Sequence, residues 1–230
     1  MGKSKKTAIP DRWSNYKPIG QRIPGTKIVA FKVPLAEDVC KRNVDEKEWF
    51  TPSILVATEP GLKTIIDLTN TWRYYNWEEE FGTRGIDHVK IMVEGRTVPK
   101  HSQVQQFFSA VDRHLEKHAD DEDALIGVHC THGLNRTGYF ICRWMVERLK
   151  IHVDDAINRF EVARGHPIER KYLLKALRNG DSSTRKLPPS SRQRRVHRSS
   201  VVNWRTEPRT NFEKPSVPSQ KNKNHHKTVD

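Results

Sequence analysis

The tightest constraint in this 230-residue chain is a change of pattern at Cys130. Ala124-Leu125-Ile126-Gly127-Val128 is a short, almost wholly apolar run, as a strand buried on both faces of a sheet requires. It leads straight into His129-Cys130-Thr131-His132-Gly133-Leu134-Asn135-Arg136-Thr137-Gly138, after which helical spacing is predicted over 137–149. Strand, loop and helix in that order place a cysteine at the edge of a sheet, with a helix N-terminus beside it.

That placement has chemical consequences. A free thiol has a pKa of about 8.5, and only its thiolate is a strong nucleophile. Unpaired backbone N–H groups at the start of a helix, with the helix dipole behind them, favour an anion at that point. Gly133 and Gly138 allow a tight turn and close approach to a ligand, so the backbone of Thr131, His132, Gly133, Leu134 and Asn135 can cradle a phosphate. Arg136, six residues after the cysteine, closes the cradle with a planar fork that matches two phosphate oxygens. Thr137 can hydrogen-bond the sulfur as thiolate and as leaving group, whereas His129 is expected to fix the backbone around the cysteine.

The remaining pattern frames this unit. Strands are predicted at 28–33, 63–68 and 88–93, a short helix over 52–59, and an amphipathic helix over 102–118 from the spacing of Val104, Phe107, Phe108, Val111 and Leu115. Further helices are predicted over 154–163 and 169–179. Strands alternating with helices imply an α/β domain, a central mixed sheet flanked by helices. Residues 1–24, Lys-rich and broken by prolines, read as an N-terminal arm anchored by Trp13 and Tyr16, residues 25–180 as the domain, and residues 181–230 as a basic disordered tail.

Charge is concentrated in that tail. Residues 181–230 carry 12 Lys and Arg against 4 Asp and Glu, which is +8 of the chain's +13. Such an arm favours polyanionic partners, and the basic run at 192–198 reads as a nuclear address or an RNA-contacting segment, so the nucleus is favoured over the cytoplasm. Three cysteines, Cys40, Cys130 and Cys142, make no disulfide framework and point to a reducing, intracellular setting. No apolar run reaches the roughly 18 residues of a membrane span, so a soluble protein without membrane association is expected. His225, His226 and the other histidines show no zinc spacing with cysteine, and no metal is expected.

The segment from His129 to Gly138 resembles, position for position, the HCxxGxxRTG signature of the protein tyrosine phosphatase superfamily. The resemblance implies a cysteine-phosphatase fold with a doubly covered sheet, a cysteinyl-phosphate intermediate and no cofactor. Members acting on proteins carry a general-acid Asp in a loop that corresponds here to Val93-Glu94-Gly95-Arg96-Thr97-Val98-Pro99, which has none. Either Glu94 substitutes, or the leaving group is itself a phosphate and needs little protonation. The loop also lacks the Lys that phosphoinositide phosphatases place between Cys and Arg.

Ile66-Asp67-Leu68-Thr69-Asn70-Thr71 with Arg73-Tyr74-Tyr75, together with the cysteine loop, is similar to the RNA 5′-triphosphatase branch of this superfamily. Arg12-Trp13, Gly20-Gln21-Arg22, Pro24-Gly25-Thr26, Arg164-Gly165-His166 and Ile168-Glu169-Arg170 extend the likeness over residues 10–180 to stand-alone, atypical dual-specificity members of the RNA/RNP-complex-interacting type. These are similar to enzymes that remove the γ and then the β phosphate from RNA with a 5′-tri- or diphosphate. On that basis Asp67 either assists proton transfer or caps its turn, Arg170 reaches a second phosphate or is a solvated charge, and Arg73 lines an RNA path or packs with the tyrosines. RNA, ribonucleoprotein and small-RNA-processing proteins are the expected partners of a monomer. A dual-specificity protein phosphatase and an RNA-binding adaptor stand as alternatives.

Overall fold

Side chains alternate along the apolar strands, and the alternation separates two cores. In the computed structural model, which describes residues 9–180, the strands β1 (Ile19–Arg22), β2 (Ile28–Lys32), β3 (Leu62–Asp67), β4 (Asp87–Lys90) and β5 (Leu125–Cys130) form one sheet. Their spatial order is β1-β2-β5-β3-β4, with β1 antiparallel to β2 and all other pairs parallel. Ile28, Ala30, Ile66, Ile126 and Val128 face one core, and Val29, Phe31, Ile65 and Leu125 the other. The cysteine-bearing strand is therefore central, buried along its whole length.

The first core is covered by α4 (His101–Lys117), α5 (Asn135–Arg148), α6 (Val153–Arg164) and α7 (Lys171–Asn179). Val104, Phe107, Phe108 and Val111 come down onto it from α4, the spacing that predicted this helix. The opposite face is covered by α1 (Glu37–Asn43), α2 (Pro52–Thr58) and α3 (Trp77–Glu80), with Phe50, Leu55 and Phe81 in the core beneath them. α2 starts at Pro52, where the missing N–H costs nothing, and the Thr51 hydroxyl accepts the Ile54 N–H at 3.2 Å. α6 stops at Gly165, whose φ of +74° gives the left-handed C-terminal turn.

One strand and two α-helices are additional to those predicted. β1 is four residues long, half exposed and contains Gly20, so it has no period to detect. α1 offers only Val39 and Cys40 to the core, and α3 is one turn capped by Asn76. Residues 9–24 are also more than an arm. Trp13 is 1% exposed and donates its indole N–H to the Val33 carbonyl at 2.8 Å, and β1 closes one edge of the sheet. The tail expected over 181–230, including its basic run, lies outside the described residues, as do residues 1–8.

Replacing Trp13 with Ala should lower the urea unfolding free energy by about 3–5 kcal/mol, the range for truncating a buried large aromatic. An exposed arm would show a change near zero.

Candidate active site

β5 and α5 position the cysteine. Register pairs Cys130 with Lys32 and His129 with Asp67, so the loop leaves the sheet between β2 and β3. Gly133 turns it with φ +68°, and any Cβ there would run into the Phe31 carbonyl. Gly138 has a different role from the ligand approach expected of it. A Cβ there would come within 2.7 Å of Ile168 and Phe160, so it lets α5 seat against α6 and the 168 segment.

The sulfur of Cys130 is in an exceptional environment. The residue is 3% exposed, and burial alone would push its thiol up. The Arg136 guanidinium, the Thr137 hydroxyl and the backbone N–H groups of Thr137 and His132 outweigh that and bring it below the ordinary cysteine value. The Thr137 hydroxyl is fully buried, makes no other hydrogen bond among the described residues, and favours the charged form of the neighbouring sulfur. Cys142 and Cys40 contrast with this, because burial raises both.

Arg136 is held from outside the loop. One terminal nitrogen donates to the Leu68 carbonyl at 3.0 Å and the Val93 carbonyl at 2.7 Å, and the other to the Thr131 hydroxyl at 2.9 Å. Of the five guanidinium N–H groups, Nε–H and one terminal N–H remain without a protein partner among the described residues, a two-pronged edge suited to a phosphate. The loop itself is held from behind by Arg164, which is 1% exposed. Its Nε donates to the Gly133 carbonyl at 3.1 Å, and a terminal nitrogen donates to the carbonyls of His132 at 3.1 Å and Lys17 at 2.7 Å. Burial lowers this guanidinium to about 10, against a favourable interaction with Cys130, and it stays charged at neutral pH. Nothing local in the Arg164-Gly165-His166 string directs Arg164 to the cysteine loop.

The N-terminal segment completes the support. His132 Nε2 lies 2.7 Å from the Asp11 carbonyl, the Tyr16 hydroxyl donates to Glu169 at 2.7 Å, and the Lys17 N–H donates to His166 at 2.9 Å. Asn135, at the start of α5, accepts the Arg170 N–H at 2.9 Å. Arg170 thus sits beside the loop through its backbone, with an exposed side chain. Leu134 is buried, while Thr131, His132 and Asn135 are half-buried.

Asp67 lies at the end of β3 inside a polar cluster. It accepts the Thr69 N–H at 2.7 Å and the Lys90 ammonium at 2.7 Å, and Lys90 also donates to the Thr69 hydroxyl and the Thr71 carbonyl. Burial would raise this carboxyl, but His129, Lys90 and the Thr69 N–H hold it below its usual value. The Tyr75 hydroxyl lies 2.7 Å from His129, 3.3 Å from His88 and 3.4 Å from Asp67. Burial lowers both imidazoles, His88 to about 4. Of the two roles left open for Asp67, the geometry displays the turn-capping one. Tyr75 is buried in this cluster, whereas Arg73 is exposed and lies 5.0 Å over the Tyr74 ring. Glu94 is exposed beside Val93, the residue that anchors Arg136. Among the described residues no group of three or more His, Cys, Asp or Glu could hold a metal ion, and no helix is long and apolar enough to cross a membrane.

Residues 50–181 match the profile of the dual specificity phosphatase catalytic domain. The human RNA/RNP complex-1-interacting phosphatase is 44% identical over 75% of this chain and 52% of its own length. The chain spans about half the length of that relative and of its rat counterpart. A tyrosine-protein phosphatase of the Autographa californica nuclear polyhedrosis virus is 42% identical over 74% of this chain and 98% of its own length. Among solved structures, a protein tyrosine phosphatase from Leishmania major superposes with a TM-score of 0.52 at 17% identity, over 67% of this chain and 87% of that one.

Two outcomes follow from these geometries. Iodoacetamide alkylation of Cys130 should titrate below the usual cysteine range, and Arg136→Ala should move that titration up by about one pH unit or more. Stability should fall as pH drops from 6.5 towards 4, because His88 and His114, both lowered to about 4 by burial, protonate in the unfolded chain first. The loss is at most about 3 kcal/mol per histidine, read by urea unfolding across that window.

Proposed function

Because the chain belongs to the dual specificity phosphatase family, we propose that it is an RNA 5′-polyphosphatase, acting without metal on the γ and then the β phosphate of 5′-triphosphate RNA. The Cys130 thiolate attacks the terminal phosphorus. An S–P bond forms as the bridging P–O bond breaks, and the shortened RNA leaves with the electron pair as a diphosphate. Arg136 and the loop N–H groups stabilise the charge on the equatorial oxygens. Water then cleaves the S–P bond and gives inorganic phosphate, with Thr137 receiving the departing thiolate. After the second round the remaining phosphate is attached to a ribose oxygen, a poor leaving group, and reaction stops at the monophosphate.

The observation that carries this reading is the state of Asp67. As an ionised carboxylate shared among Lys90, Thr69 and Tyr75, it is a poor source of a proton for a leaving group. The 93–99 stretch contributes only the exposed Glu94 as a carboxyl group. A phosphoanhydride, whose leaving group is itself a phosphate, fits a site so arranged. The human relative is named for interaction with an RNA/RNP complex, a class of partner consistent with this reading. Arg170, on the residue that reaches Asn135, is placed in this reading to meet the second phosphate, and the basic tail to engage RNA and ribonucleoprotein.

A second reading, a dual-specificity protein phosphatase with Glu94 as general acid, has its own support in the viral relative, a tyrosine-protein phosphatase that the chain matches over 98% of its length. Both are tested by incubating the protein with 5′-triphosphate RNA or a phosphotyrosine peptide at equal concentration. Monophosphate RNA as end product, with kcat/KM above that on the peptide, is expected. Cys130→Ser should abolish turnover of either substrate by at least about 10³-fold. Glu94→Gln should leave RNA turnover within about twofold, where loss of a general acid would cost roughly 10²-fold or more. Faster peptide turnover, or that larger loss, overturns the RNA reading.

A further inference from the structure

Trp72 is the most exposed aromatic group beside the candidate active site, with 55% of its surface open. It lies on the loop that follows β3, four residues after Leu68, whose carbonyl anchors Arg136. The loop is tied to the sheet at this point. Lys90 ties the Thr69 hydroxyl and the Thr71 carbonyl to Asp67, and its ammonium lies 5.0 Å from the Trp72 ring centroid. One side of the indole is therefore supported by a buried cation while much of the ring faces solvent, an arrangement that holds an aromatic surface still without covering it.

An open pocket of about 570 Å³ lies against the same loop, with Trp72, Tyr74 and Trp77 among the residues that line it. Arg73, Asp38 and Glu78 also line it, and Asp38 is paired with Arg42, so the charges around it nearly balance and its aromatic lining suits an uncharged ring. A phosphate cradle and an aromatic pocket, joined by a loop of a few residues, together match the two ends of a nucleotide. The four residues from Leu68 to Trp72 span at most roughly 14 Å, within reach of the base of a nucleotide whose terminal phosphate lies at Cys130.

We propose that Trp72 is a stacking platform for the first base of the RNA, a proposal that rests on the polyphosphatase reading. Stacking is tolerant of base identity, because every base has a π face, so this contact sets affinity for a nucleotide end without choosing a sequence.

The test compares the full chain and its Trp72→Ala and Trp72→Phe variants on three substrates: 5′-triphosphate RNA, the same RNA abasic at its first position, and inorganic tripolyphosphate. Trp72→Ala should raise KM for the intact RNA by roughly tenfold with kcat little changed, and Trp72→Phe should recover most of the loss. The abasic RNA should show the raised KM already in the unaltered protein and gain little further from Trp72→Ala. Tripolyphosphate, which has no base, should be hydrolysed with the same kcat/KM by all three proteins. An unchanged KM on intact RNA, or an equal loss on tripolyphosphate, overturns the stacking role. Failure of the unaltered protein to shorten triphosphate RNA at all overturns the polyphosphatase reading itself, and the platform with it.

Discussion

A sulfur anion withdrawn from water is the constraint around which the described residues are organised. Cys130 is almost wholly buried, and burial works against its charge. The opposing field comes from one guanidinium, one hydroxyl and two backbone N–H groups, none of which would hold its position on an isolated loop. Arg136 is pinned by carbonyls that follow β3 and β4, so the strand order β5-β3-β4 is a requirement of the thiolate as much as of the sheet. Gly133 brings the loop against the Phe31 carbonyl on the other side, which enlists β2 as well.

Two cations, Arg136 half-buried and Arg164 buried, divide the labour around this anion. Arg136 faces the sulfur and keeps part of its fork free. Arg164 binds the carbonyls of His132 and Gly133, so these point towards it while the N–H groups of the loop converge on the sulfur. Both are held chiefly by neutral carbonyl oxygens. Had a carboxylate taken either place, its charge would have cancelled the field that the thiolate depends on. Lys90 is arranged in the opposite way. It is paired with Asp67, so that cluster adds little net charge to the site and acts to stiffen the loop after β3.

How legible each part was in the sequence follows from how local its physics is. The nucleophile and its cradle occupy one continuous segment between a strand and a helix, and the residue types alone disclose the chemistry. The α/β layering was equally open, because the apolar run into Cys130 and the helical stripe from Val104 to Leu115 bury the faces they advertise. Arg164 was hidden, since an arginine in the last turn of a helix ordinarily points to water, and only the folded chain brings the loop carbonyls to it. Asp67 was ambiguous for a similar reason. Its partner Lys90 lies on another strand, and without it a carboxylate at a sheet edge suits capping and proton transfer equally. β1 escaped notice because an edge strand with two exposed residues and a glycine has no hydrophobic period to read.

The clasp behind the cysteine loop joins opposite ends of the described chain. Arg164 meets the Lys17 carbonyl, Tyr16 meets Glu169, and His132 meets Asp11. During synthesis the nucleophile emerges well before the arginine that orients its loop, with roughly thirty residues between them, or some 2–6 s at ordinary elongation rates of about 5–20 residues per second. For that interval the nascent chain carries a cysteine loop that is not yet held from behind. The support of the cysteine loop is thus added after the loop itself, from a helix that lies later in the chain.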